Sequence, residues 1–289
     1  MTTGLAPAMR PLERVIVNTA LGIRFWDGAR GVPVGGGLVV HARLPGAVSR
    51  PGRASPTRSG VYAFHSLPGL RGYEYPANPS VGLGSPPTTR RYIVDVVDTL
   101  GRFQPVAFGV DAPRAGIFPT DGPASSPPGD AAPGFFLFPA VTATAPSSMA
   151  VVRAEVHDRS TDEPAGNAVV ELTLPGGRRE YGIAGDDGRV ALVFPHPRFE
   201  PTVLSPPPTA DDAREPASWA ASVRVRFDRP AQVPTAPGLP PDLGSLFGQS
   251  PAPIWATAAG PPATELGVTL VLGQEAVLRT EGESRLLVD

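Results

Sequence analysis

Four histidines are the side chains of this sequence that are best suited to catalysis or metal binding. They are His41, His65, His157 and His196. No two of them have the i, i+4 spacing that places a pair of imidazoles on one face of a helix, as a zinc-binding helix requires. The chain also contains no cysteine, which excludes thiolate metal sites and disulfide bonds.

Acidic residues occur together at two turn-like stretches. Asp158, Ser160 and Asp162 have the spacing that begins a calcium-binding loop, but Glu163 stands where that loop needs a glycine. The run 186–188, Asp-Asp-Gly, leads into an apolar stretch, as a hairpin turn does. Turns explain both stretches better than a cation site or an acid–base pair. No nucleophile elbow, phosphate-binding loop or dinucleotide fingerprint is present either. We therefore expect a non-enzymatic protein with no catalytic, cofactor-binding or metal-binding residues.

Charge and hydropathy restrict the partners of this chain. The 289 residues carry a net charge of only −2, which is too small to attract nucleic acid or an anionic membrane. No stretch of eighteen consecutive apolar residues is present, so we expect no membrane span. Residues 1–14 lack the basic and apolar regions of a secretory signal peptide, which predicts a cytoplasmic protein.

A repeat whose two copies lie about 131 residues apart determines the organisation that we predict. Both copies contain an aspartate, a proline six residues further on, a Pro-Gly pair and then a glycine that opens an apolar run. The matching positions are Asp27 with Asp158, Pro33 with Pro164, Pro45-Gly46 with Pro175-Gly176, and Gly60 with Gly188. The chain is therefore predicted to contain two copies of one β-module.

Apolar and polar residues alternate with a period of two within each copy, as they do in half-buried strands. Residues 38–44 and 169–174 show this pattern most clearly, and His41 and Glu171 fall at equivalent positions that should both face outward. A turn at 99–101 separates two further alternating runs and predicts a hairpin. Helical patterns are nearly absent, and only 210–221 and 242–247 are suited to a short helical turn. The fold class is therefore all-β, with two related sandwiches.

Proline-rich and glycine-rich stretches divide the chain into six predicted segments, since 38 residues are proline and 33 are glycine. They are an N-terminal arm (1–14), a first sandwich (15–112), a linker (113–147), a second sandwich (148–229), a second linker (230–265) and C-terminal strands (266–289). The C-terminal strands either complete a sheet or form a small unit of their own.

Large aromatic residues within the two predicted linkers are not typical of solvated linker sequence. Residues 135–138 read Phe-Phe-Leu-Phe, so this segment is either an extra strand, which we favour, or a segment that docks on a partner. Side chains of this kind can be buried against neighbouring subunits. The candidate interface residues are Phe135, Phe136, Phe138, Phe247 and Trp255.

The repeat resembles carboxypeptidase regulatory-like and transthyretin-like domains, which are small Ig-like sandwiches. The second copy carries the resemblance through Asp158, Thr161, Pro164 and the run from Asp186 to Val190. The first copy lacks the threonine and the acidic turn, and so matches less well. The resemblance covers about half of the chain and implies a binding or scaffold module without catalytic residues.

Longer strings are similar to a protein encoded beside the sheath, tube and baseplate genes of bacterial contractile injection systems, which are particles that look like phage tails. The strings are 59–71, 98–105, 150–154 and 276–282. This resemblance implies a structural subunit in the cap, the baseplate or an outer decoration. Its partners would be sheath, tube, cap or baseplate subunits, with possible self-association, and the resemblance allows release as part of a particle.

A second class of function stays open. A free-standing module that binds carbohydrate or a cell surface would use the same sandwiches, with aromatic side chains on an outer face. The candidates for such a face are Trp26, Tyr73, Tyr75, Trp219 and Trp255. Their scatter along the chain shows no platform in the sequence itself.

Overall fold

Strands dominate the computed structural model, which describes residues 17–46, 50–75, 89–114, 134–197 and 217–289. The predicted all-β class is confirmed. The predicted arm at 1–14 lies outside the described residues, as do much of the first linker (115–133) and the loop 198–216.

The first module consists of the elements β1 to β8. They are β1 Leu21–Asp27, β2 Val32–Pro33, β3 Leu38–Arg43, β4 Gly52–Pro56, β5 Val61–Phe64, α1 Arg71–Glu74, β6 Arg90–Asp98, β7 Val106–Ala112 and β8 Phe135–Leu137. The strands form one curled sheet in the order β2-β1-β5-β4-β3-β6-β7, and β8 adds to β1 in parallel. The sheet surrounds a core that includes Phe25, Tyr62, Phe64 and Tyr92.

The second module consists of β9 to β18 and is a sandwich of two sheets. Its elements are β9 Met149–Asp158, β10 Glu163–Pro164, β11 Val169–Thr173, β12 Arg179–Ile183, β13 Arg189–Pro195, β14 Ser218–Arg226, α2 Leu243–Phe247, β15 Pro251–Ala252, β16 Leu266–Val271, β17 Glu275–Leu278 and β18 Leu286–Val288. In one sheet β9 pairs with β10 and β13, and also with β17 and β18. In the other the order is β12-β11-β14, and β14 also pairs with β15 and β16. Val152, Leu172, Leu192 and Phe194 belong to the core between them.

Strand pairing follows the sequence repeat. Asp27 lies opposite Val32 where β1 meets β2, and Asp158 lies opposite Glu163 where β9 meets β10. The later strands repeat as well, since β5 pairs with β1 as β13 pairs with β9. The shared glycines have the same left-handed backbone, with φ of +76° at both Gly60 and Gly188. Turn geometry therefore explains why the two copies share this residue.

The acidic turns are structural. Asp158 is 9% exposed, and its carboxylate accepts hydrogen bonds from the backbone N–H of Ser160 at 2.9 Å and from its hydroxyl at 2.7 Å. Asp27 accepts from the backbone N–H of Ala29 and of Arg30, both at 3.1 Å, in the equivalent turn. This aspartate thus organises the same turn in both modules, because its side chain satisfies backbone donors that a strand no longer pairs.

Two of the following three details differ from the sequence expectations, and the short helical turn at 242–247 agrees with them. Residues 218–221 lie in β14 and are not helical, because they alternate toward the core of the second module, while 210–216 lie outside the described residues. The turn at 242–247 is the short helix α2, whose N-cap Asp242 accepts from the backbone N–H of Ser245. The third detail is Glu171, which lies on the outer face of β11 but is only 2% exposed.

Two strand assignments refine the predicted segments. Residues 135–137 form β8 in the sheet of the first module, which confirms the extra strand that we favoured. The C-terminal strands complete the second module, because β16 pairs with β14 while β17 and β18 pair with β9. The six segment boundaries themselves stay a prediction.

Candidate interaction surfaces

The aromatic residues of β8 pack inside the first module. Phe135 is 3% exposed, and its ring stacks on that of Phe108 with the ring centroids 4.4 Å apart. It also meets Phe25 edge-on at 6.0 Å. Phe136 points to the other side of the strand, where it is half-buried and stacks on Trp26 at 6.5 Å. Both side chains therefore have a role within the chain that requires no partner.

Two other candidate interface residues meet each other where the modules join. The rings of Phe138 and Phe247 lie 5.9 Å apart, and Tyr181 approaches Phe247 edge-on at 5.5 Å. Helix α2 carries Phe247 and packs against β7 of the first module. The backbone N–H of Gly109 in β7 donates to Asp242 at 3.1 Å. Helix α2 thus lies as a wedge between the outer face of the second module and the edge of the first.

The junction between the modules is a continuous apolar contact. Val169 and Ile183 belong to the second module by sequence and strand pairing, yet they pack into the core of the first module. Leu243 and Leu246 of α2 join the same core and are 7% and 2% exposed. Burial of this kind fixes the relative orientation of two domains, because separating them would expose apolar surface to water.

Charged side chains form the polar side of the junction between the modules. The buried carboxylate of Glu171 lies 3.4 Å from Nε of Arg179 and 3.5 Å from Nη2 of Arg226. Arg226 also donates through Nη1 to the carbonyl of Phe247 at 3.5 Å. These two arginines and the wedge explain why Glu171 is buried although it lies outside the core of its own sandwich. Alternation in the sequence places a residue on a face but does not tell what covers that face.

A connecting segment between the modules is held by one arginine. Arg153 in β9 donates to the backbone carbonyls of Val141 and Ala143, the second at 2.9 Å. Its Nε also lies 3.1 Å from the carboxylate of Glu275. Nothing in the sequence indicated that this side chain anchors the connection.

A groove of about 200 Å³ lies beside this connection. Turns of the first module and strand residues of the second line it, among them Arg30, Leu100, Arg102, Pro139, Met149 and Val193. Arg102 forms a bidentate pair with the buried carboxylate of Asp98, with distances of 2.9 Å and 3.1 Å. The lining of the groove offers apolar surface and paired charges.

The Asp98 carboxylate organises one wall of the groove. Burial by itself would raise the pKa of Asp98, but hydrogen bonds from the side chain and backbone of Arg102 and from the backbone N–H of Leu100 outweigh burial and lower it. The group is thus held ionised, and it fixes the turn between β6 and β7. We assign it a structural role, since the hydrogen bonds that its oxygens accept from the described residues come from its own turn, from Leu100, Arg102 and Phe103.

Trp255 occupies a separate place in the second module. Its indole Nε1 donates to the carboxylate of Asp289 at 2.8 Å, and the guanidinium of Arg159 lies 3.8 Å from the ring centroid. Trp255 is half-buried, and Arg159 is exposed. The stacked pair presents a cationic plane at the surface, whereas much of the indole is covered. For all five candidate residues, contact with a partner stays a prediction.

The aromatic residues considered for a carbohydrate platform do not gather on one face. Trp26 stacks on Phe136, Trp219 stacks on His196 at 5.5 Å, and Tyr73 packs against the core of the first module. Tyr75 is 47% exposed. Within the described ranges no ring contact joins any two of the five candidates.

The histidines are equally dispersed. His41 contacts Asp95 at 3.4 Å, and His157 contacts Glu155 at 3.1 Å in the other module. Among the residues that the structure describes, no group of three or more His, Asp or Glu side chains is placed to hold a metal ion. No helix within the same residues has the length and apolar character needed to cross a membrane.

Comparison with known proteins gives little further information. No protein family matches the sequence, and no curated protein shows significant similarity to it. Among solved structures, the Bacillus anthracis TIE protein aligns at 6% identity with a TM-score of 0.23, over 93% of this chain and 34% of that one. BcpA, the major pilin subunit of Bacillus cereus, aligns at 7% identity with a TM-score of 0.22, over 96% of this chain and 56% of that one. The chain therefore spans about a third and about half of these two proteins, and likenesses this weak carry no argument about function.

Proposed function

We propose that this chain is a non-enzymatic structural subunit that acts through protein–protein contacts. The observation that carries the proposal is the apolar junction between the modules, where Val169 and Ile183 enter the core of the first module. A subunit that spaces or orients its neighbours needs two domains in a fixed relation. A shared core and a wedge helix supply that relation, whereas a flexible linker would not.

The particle in which such a subunit would act is a bacterial contractile injection system. Support for this step comes from the strings of sequence at 59–71, 98–105, 150–154 and 276–282. The subunit would belong to the cap, the baseplate or an outer decoration, and would contact sheath, tube, cap or baseplate subunits. Assembly in the cytoplasm and release with the particle complete the proposal.

The test is a pull-down of the tagged full chain from its native cells, with mass spectrometry of the co-purified proteins and negative-stain imaging. We expect sheath and tube subunits in the eluate and rods on the grid. A matched strain carrying the tagged Phe247→Ser variant, in which the junction loses its central ring, should recover fewer of these subunits. Particles that form intact and functional without the chain would contradict the proposal.

Recovery of the chain alone would favour the free-standing binding module. In that case a glycan array would be the next experiment, with Tyr75 as the first aromatic residue to replace because of its exposure. Absence of glycan binding would remove this alternative as well.

A further inference from the structure

Among the described residues, one edge of the second module lacks the features that normally prevent strands from pairing between molecules. Strand β16, Leu266–Val271, ends the sheet that begins with β12, and within the described residues it pairs only with β14. Unpaired edges are normally protected by charge, proline, a bulge or a covering segment. From Leu266 to Leu272 the sequence is Leu-Gly-Val-Thr-Leu-Val-Leu, which has neither charge nor proline. The pairing with β14 also runs without a bulge over its whole length.

The other long edges of the described sheets are protected. The outer edge of β7 is covered by α2, where Ala107 bridges to Asp242. Strand β12 carries Arg179 and Glu180, and residues 190–194 of β13 are buried. The remaining edges belong to strands of two to four residues. Strand β16 is thus an exception among the strands that the structure describes.

The backbone of β16 is oriented for pairing at this edge. Leu272 donates from its backbone N–H to the carbonyl of Ala217 at 2.8 Å, directly opposite in the antiparallel register. Hydrogen-bonded pairs alternate along antiparallel strands, so the even-numbered residues 266–272 bond to β14. The N–H and C=O groups of Gly267, Thr269 and Val271 therefore point to the open edge.

We propose that β16 pairs antiparallel with β16 of a second copy of this chain, about a two-fold axis at Thr269. In this register Thr269 faces its own symmetry mate, Gly267 faces Val271, and Leu266 faces Leu272. All three outward-pointing residues then form hydrogen-bonded pairs, which joins the two sheets into one. The interface is isologous, because the same strand supplies both halves.

Charge and exposure favour a second copy over a strand of another composition. No charged residue lies within the paired stretch, so the symmetric register places no like charges opposite each other. Leu272 is 47% exposed, and Val277 of the adjacent strand β17 is 60% exposed. Pairing across the axis would bring Leu272 of each copy against Leu266 of the other. The inference concerns self-association, and it does not depend on the injection particle.

The test is the mass of the purified full chain in solution, measured by sedimentation across a range of concentrations. We expect a dimer that dissociates on dilution. Thr269→Pro removes the N–H at the axis without removing a hydrogen bond to β14, and we expect it to be monomeric. Thr269→Val keeps the N–H and the shape of the side chain, so this matched control should remain dimeric.

A second variant covers the case in which proline disturbs the strand. Leu272→Lys leaves the backbone intact but places a charge opposite Leu266, and the dissociation constant should rise at least about tenfold. Leu100→Lys in the first module, at a side chain that is 65% exposed, is its control and should dimerise normally. Circular dichroism must show that each variant retains its strands.

Two results would overturn the proposal. A wild-type chain that stays monomeric up to about 100 µM would show that a second copy does not occupy this edge. A dimer that persists in folded Leu272→Lys would place the contact elsewhere. Neither result bears on co-purification with particle subunits, so the proposed function can fail or hold separately.

Discussion

At the scale of single residues, turn geometry accounts for most of the positions that the two copies share. The shared glycines show this in both modules. A Cβ at Gly188 would lie 2.4 Å from the carbonyl oxygen of Val156, whereas at Gly60 the nearest atom would be Cβ of Pro33 at 3.7 Å. The backbone at both has φ of +76°. The repeat thus supplies two positions that share the same backbone conformation but differ in the room available for a Cβ atom.

Replacement of each glycine by alanine should therefore separate the cost of left-handed backbone strain from the cost of a steric collision at Cβ. Gly60→Ala adds only the left-handed strain and should lower the free energy of unfolding by about 1–2 kcal/mol. Gly188→Ala adds the collision with Val156. It should lower the free energy of unfolding by at least about 1 kcal/mol more than Gly60→Ala does. Urea unfolding of the two variants measures the difference. Equal costs would mean that the surroundings of Gly188 give way and that the collision with Val156 adds nothing to the backbone strain.

Asp98 provides a prediction about pH. Its lowered pKa means that the folded state stabilises the carboxylate relative to the unfolded chain, in which the pKa is about 3.9. The stabilisation is therefore complete above the unfolded pKa and is lost as the pH falls through the folded pKa. Asp98→Asn should lower the free energy of unfolding by about 1–2 kcal/mol at pH 7. The difference in unfolding free energy between Asp98→Asn and wild type should narrow below the unfolded pKa, as urea titrations at pH 7 and at about pH 2 would show.

The control for this variant is Asp111→Asn. Asp111 pairs with Arg91 at 3.6 Å, and both side chains are 57% exposed, so solvent screens the pair. Its loss should change stability by less than about 0.5 kcal/mol at either pH. A difference between Asp98→Asn and wild type that does not depend on pH would show that charge is not what Asp98 contributes.

At the scale of elements, β8 provides the clearest test of how the aromatic residues are used. Phe135 is buried between Phe108 and Phe25, so its removal leaves a cavity in the first core. Phe135→Ala should lower the free energy of unfolding of the isolated chain by about 3–5 kcal/mol. Phe136→Ala is the control on the same strand, and it should cost less because Phe136 is only half-buried. An isolated chain that is not destabilised by Phe135→Ala would mean that this ring serves a partner.

Elements were predictable where a local pattern decides them. Residues 38–43 alternate between buried and half-buried positions, as the period of two predicts. Three consecutive aromatic or leucine residues in 135–137 favoured a strand, because a solvated linker does not retain them. The strand at 218–221 was not predicted, since its alternation is hidden by small residues and its partners β11 and β16 lie far away in sequence.

The contacts at the junction between the modules could not be predicted for the same physical reason, because the contacting elements lie far apart in sequence. Asp242 and Ser245 have the spacing of a helix cap, so a short turn was expected there. Its contact surface was not, because β7 and β12 come to α2 only when both modules have folded. The sequence identified Phe138 and Phe247 as unusual for linkers, but it did not show that they contact each other.

At the scale of the whole molecule, the shared core predicts that the modules unfold together. Val169, Ile183, Leu243 and Leu246 bury apolar surface of the second module in the core of the first. Unfolding either module alone would expose that surface, and this cost couples the two transitions. We therefore expect one calorimetric transition for the wild-type chain.

Phe247→Ser should uncouple them, because the ring contacts both Phe138 and Tyr181 and its replacement introduces a hydroxyl into the junction. The expected result is a transition that broadens or divides in two, with the less stable module melting first. Leu100→Ser, at a side chain that is 65% exposed, is the control and should keep a single transition. Two separate transitions in the wild-type chain would contradict the coupling. The modules would then be independent domains, and a subunit that orients its neighbours would lose the rigidity on which the proposed function depends.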